Sequence, residues 1–167
     1  MYAERLSTMT DAELVAKLVE LVRAERRLTV AVLLHLGEVE ARDIHLRAAC
    51  PSLYVYCTRV LGMSEDQAFK RIRAARAFRR FPLLATAVAE GRLHLSGVLL
   101  LAAHLTDENA ADLVAEASGK SKGEIEILLA RRTPRGDVPA RIDTVAQQLE
   151  LAPGLTDPHD ILTARQA

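Results

Sequence analysis

The chain has 167 residues, half of them hydrophobic and only 4% aromatic, with no tryptophan, and its 22 basic residues balance 22 acidic ones. That length and apolar fraction exclude a disordered polyelectrolyte and suit one domain, with or without a tail, whose core is built from Leu, Ala and Val. Zero net charge excludes a long-range pull of the whole molecule on a polyanion, so any nucleic-acid contact has to come from a local patch.

In chain order, Glu4, Asp11 and Glu13 mark an N-terminus without an apolar signal core. Thr10-Asp11-Ala12-Glu13 spells a capping box, in which the Thr hydroxyl accepts the N3 amide and Glu reaches back. Leu14, Leu18, Leu21, Val22, Leu28, Val32 and Leu36 follow at helical spacing. The pattern predicts a long first helix running through Gly37 to about Arg47, able to pack across its own domain or to pair with a second copy. Pro51 stops it, because proline disfavours helix at the preceding residue and has no amide hydrogen.

Ser52 is placed to cap a short helix, Leu53 to Leu61. Gly62 suits its end, since a positive φ is cheap only without a Cβ. Ser64-Glu65-Asp66-Gln67 spells a second capping box and opens a helix carrying Lys70, Arg71, Arg73, Arg76, Arg79 and Arg80. Phe81-Pro82 ends it, and Pro82 fits the first turn of the next helix, about Leu83 to Glu90. Gly91-Arg92 breaks the chain again. Ser96 is the expected cap of an apolar helix from Gly97 to His104, Thr106 that of a helix from Asp107 to about Ala117. Ser121-Lys122-Gly123-Glu124 is a third capping box before Ile125 to Arg132. No alternating strand pattern of useful length occurs, so the fold class is all-α. Its longest apolar run, Val98 to Ala103, falls far short of the ~20 residues a membrane span requires, and a soluble, cytoplasmic protein without membrane contact is expected.

Beyond Pro134 the apolar period weakens, and four of the six prolines lie between Pro134 and Pro158 or at its ends. The expected organisation is a helical domain over 1–135 and a tail or linker over 136–167, with one further helix at Arg141 to Leu151.

The segment 52–80 is the one with a functional signature. A short helix, a glycine turn and a basic second helix are what a helix-turn-helix needs to enter a DNA groove. Ala68, Ile72 and Ala75 make the core stripe of the second helix, with Lys70, Arg73, Ala74 and Ala77 expected outside and Gln67 and Arg71 on the flanks. The candidate nucleic-acid-binding residues are Gln67, Lys70, Arg71, Arg73, Arg76 and Arg80: the cations for phosphates and guanine edges, Gln67 for adenine. Glu65 and Asp66 oppose this, because they repel phosphate near the helix start. A solvated or protein-binding face is the competing reading.

Other chemistry is thin. Cys50 and Cys57 lack metal or redox spacing and read as reduced, partly buried thiols. His35, His45, His94, His104 and His159 form no HExxH or HxxxH pair, and no phosphate loop or nucleophile elbow is present. Neither an enzyme nor a cofactor or metal site is expected.

From Leu14 to about Pro134 the chain resembles the helical N-terminal region of bacterial, myxobacterial-type HNH-endonuclease proteins. The likeness is carried by ELVAKLVELVRAERRLTVAVLLHLGEVEAR, by PSLYVYCTRVLGMSEDQAFKRIRAARAFRRFP and by EGRLHLSGVLLLAAHLTDENAADLVAEASGKSKGEIEILLARRTPR. It implies a helical module preceding a separate HNH nuclease domain, with a role in DNA recognition or targeting. No HNH motif follows Arg135, so the cleavage chemistry transfers to no residue here, whether the sequence is a fragment of a longer nuclease or a stand-alone relative. The first expectation is therefore a non-catalytic module that binds double-stranded DNA. The alternative is a protein-interaction or homodimerisation module using the long first helix.

Overall fold

A computed structural model describes residues 6–132, and these hold helices and no strand. The first helix, α1 (Asp11–Ala41), is followed by the single turn α2 (Ile44–Arg47). Next come α3 (Leu53–Val55), which passes into a π-helical turn (Tyr56–Val60), and α4 (Glu65–Arg80). The chain continues through α5 (Leu83–Ala89), α6 (Leu95–Leu101), α7 (Ala110–Ala117) and α8 (Lys122–Arg132). The fold is the expected all-α, multi-helix domain with a long N-terminal helix and a helix-turn-helix-like pair, α3 and α4. The tail expected over 136–167, with its helix at 141–151, lies outside the described residues. Among the described residues no helix is long and apolar enough to cross a membrane.

The basic helix is the centre of this fold. It packs mainly on α1 and also on α3, α5 and α6, while α8 closes over α6. Ala68, Ile72, Ala74, Ala75, Ala77 and Phe78 are all buried. Ala74 and Ala77, expected to face out, are therefore core residues. Neighbours on several sides widen the buried arc well beyond one stripe, and alanine lets those neighbours come close. Phe78 is the largest fully buried side chain, joined by Leu33 from α1, Leu84 from α5 and Leu101 from α6. At the α1–α4 crossing, a Cβ on Gly37 would stand 2.9 Å from the Cδ of Arg79, so glycine leaves the room in which the Arg79 side chain lies across α1.

Several boundaries differ from expectation. The long helix stops at Ala41, because Asp43 takes a left-handed conformation (φ 53°) that breaks the register before α2. The segment after Ser52 is only briefly α-helical. The Thr58 hydroxyl donates to the carbonyl oxygens of Tyr54 and Val55, in a stretch that widens to a π-turn, a departure no periodicity signals. The cap of α6 is His94, whose Nδ1 accepts the Gly97 amide at 3.0 Å, rather than Ser96. Thr106 and Asn109 bond each other reciprocally, and α7 starts only at Ala110. The three capping boxes at Thr10, Ser64 and Ser121 all form.

Candidate functional site

Two surfaces stand out, the open side of α4 and the free part of α1. Stepping 100° per residue around α4, the buried positions cover more than half the circle and leave one open stripe with Phe69, Arg73, Arg76 and Arg80, while exposed Lys70 projects beside it, between the directions of Ala77 and Ala74. Much of its charge is already used. Lys70 Nζ lies 2.7 Å from Asp66 Oδ2, one turn back on the same helix. Arg76 holds Glu40 of α1 by two nitrogens, its Nε at 3.0 Å and a terminal nitrogen at 2.6 Å from Oε1. Those bonds to Glu40 raise the pKa of the Arg76 guanidinium further above its ordinary value.

Gln67 is engaged as well. Its Oε1 accepts the Ser64 backbone amide, and its own backbone amide donates to Ser64 Oγ, each at 3.3 Å. Its carboxamide oxygen is thereby committed to the helix start. Arg71 is half-buried on the flank towards Cys57. Arg73 and Arg80 are the two open cations of the stripe with no carboxylate partner among the described residues. Each lies over a ring, Arg73 5.4 Å from the centroid of exposed Phe69 and Arg80 5.1 Å from that of buried Phe81. Gly62, at φ 64°, makes the turn that brings α3 against the start of this helix. There Glu65 lies near Tyr54, whose phenol pKa is raised by partial desolvation and by that carboxylate.

The second surface belongs to α1. Its buried residues, Val30, Leu33, Leu36 and Gly37, all fall in its second half. From Val22 the helix borders a cleft against Val88, Gly91 and Leu93 of the α5–α6 region. The roughly three turns before it, Asp11 to Leu21, touch no neighbour closely enough to be buried on any side. Val15 is 60% exposed and Leu18 59%. Leu14, Leu18, Leu21, Leu28, Val32 and Val39 alternate in steps of four and three, with Glu25 and His35 at the remaining positions of a heptad seam. The seam leaves the free arm and runs into a groove where Leu28, Val32 and Val39 face Tyr56 and Leu61 across from α1. A soluble surface seldom keeps so continuous an apolar strip uncovered.

The remaining chemistry-bearing residues are dispersed. Cys50 and Cys57 are free and buried, and burial pushes the Cys57 thiol pKa up, which keeps it protonated and unreactive. His35 bonds the Ala31 carbonyl, His94 caps α6, and buried His45 has an Nδ1 with no partner among the described residues. No described group of three or more His, Cys, Asp or Glu is arranged to hold a metal.

Sequence reasoning singled out the cations of α4 and missed Phe69, Tyr56, Leu61 and the continuity of the seam. The four-three alternation was present in the sequence, but it does not say which side of α1 the domain covers. No family model, curated protein or solved structure matches the chain.

Proposed function

We propose that residues 6–132 form a non-catalytic interaction module that works by docking the apolar seam of α1 against a protein helix. The supporting observation is the free arm, whose Leu14, Val15, Leu18, Val19 and Leu21 are between 41% and 60% exposed on a stretch of α1 that no described element covers. An unsupported helix of this length is marginal in water, and packing of an apolar face is what stabilises such segments. The test replaces Leu18 and Leu28, both on the open surface, with glutamate in the full chain. The expected result is lost association with an unchanged melting transition of the helical body, read by sedimentation velocity and circular dichroism. A variant that matches the parent in both association and hydrophobic-dye binding would rule the seam out as an interface.

The open Arg73 and Arg80 favour a second reading, contact with the phosphates of duplex DNA. Two available guanidiniums on this stripe correspond to a salt slope of about −2 in log–log form, a weak and sequence-tolerant contact. Replacing both by alanine should weaken binding by an order of magnitude or more in fluorescence anisotropy at low salt. Unchanged affinity would remove this stripe from any DNA interface.

A further inference from the structure

We infer that the occupant of the α1 seam is α1 of a second copy of this chain, running antiparallel. The inference rests on the interaction-module reading and names its partner. The seam is long enough to be its own complement. A twofold axis near Arg23 sets Leu14 opposite Val32 of the other copy, Leu18 opposite Leu28, and Leu21 opposite Glu25. The free arm of each chain then covers the body half of the other's seam, and its tip reaches the groove walled by Tyr56 and Leu61. Both surfaces without a cover on one chain are filled by the same operation, as an isologous interface requires.

Charge selects the direction. A parallel, in-register pair would stack Glu25 on Glu25 and align the two helix dipoles, both unfavourable. The antiparallel pair separates those carboxylates along the seam. It also carries the acidic tip, Asp11 and Glu13, towards the end that holds His35 and, one turn beyond Tyr56, the exposed Arg59. Arg59 has no carboxylate partner among the described residues, so the acidic tip meets an available cation.

The experiment uses the full chain carrying cysteine at Leu14, at Val32, or at both, oxidised under mild conditions alongside sedimentation velocity. Positions 14 and 32 lie about 27 Å apart on one helix, so no bridge can close within a chain. The native Cys50 and Cys57 are buried and do not compete. The antiparallel pair predicts a dimer, a covalent dimer from the double variant, and little from the Leu14→Cys variant alone. It also predicts at least a tenfold weaker dimer for Leu18→Glu with Leu28→Glu. Efficient cross-linking of Leu14→Cys to itself would overturn the antiparallel arrangement and leave the interaction module standing. A monomer at high micromolar concentration overturns self-pairing outright, and amide exchange along Leu14–Leu21 then separates two causes. Fast exchange leaves the arm open for a different partner, whereas slow exchange means that the chain covers its own seam and the interaction module falls too.

Discussion

The two halves of α1 have similar sequences and different fates. Val30 to Ala41 buries Leu33 completely and joins α4 through Gly37 and the Glu40–Arg76 pair. Asp11 to Leu21 has leucines and valines at the same spacing and buries none of them. Apolar periodicity therefore reports a face that can be buried, while burial itself depends on whether another element arrives. In one half the neighbours are α4 and α5 of the same chain; in the other no described element reaches the face.

The comparison breaks most sharply at single leucines. Leu33→Ala should destabilise the fold by about 2–5 kcal/mol, because it opens a cavity among packed helices. Leu18→Ala should change the stability of the isolated chain by less than about 0.5 kcal/mol. Chemical denaturation of both variants at low concentration checks the contrast, and equal losses would place the arm inside the cooperative core. Caps give a smaller version of the same test. Ser64→Ala, at the start of the central helix, should cost about 1 kcal/mol of global stability. Thr10→Ala should fray the arm, lowering helical circular dichroism while leaving the main transition in place.

The smallest effect is a pH dependence at the capping boxes that carry a glutamate. Bonds from the Thr10 backbone amide and hydroxyl hold the Glu13 carboxyl below the usual carboxylate range. A lowered folded-state value means that the unfolded chain binds the proton more tightly. The box therefore contributes fully above the ordinary Glu value of about 4.3 and loses its contribution as pH falls through the depressed one. Glu124 is lowered in the same way by Ser121 in the body. Acid titration followed residue by residue should show the first turn of α1 loosening while α4 stays folded, and Glu13→Gln should abolish that step.

Much of the local structure was legible in advance, since capping boxes and glycine or proline stops depend on residues within a few positions of one another. All three boxes and the turn at Gly62 are of this kind. The basic stripe was legible only as composition. Six cations between Lys70 and Arg80 suggest a reading surface, yet Lys70 is paired with Asp66, and Arg76 is paired with Glu40, 36 positions earlier in the chain. The first pairing follows helical spacing and can be anticipated. The second needs α1 laid beside α4, which no local pattern encodes.

By itself the sequence determined the all-helical class of the described residues, the three helix starts that carry capping boxes and the apolar period along the first helix, because these follow from backbone bonding and side-chain periodicity over short range. Only the tertiary structure decided that the basic helix is the centre of the core, that Ala74 and Ala77 are buried, and that Arg73 and Arg80 stay open on its stripe with no carboxylate partner among the described residues. It also decided that the seam stays bare where α1 outruns its neighbours. Burial and long-range pairing depend on where distant segments stop, and a spacing pattern carries no record of that.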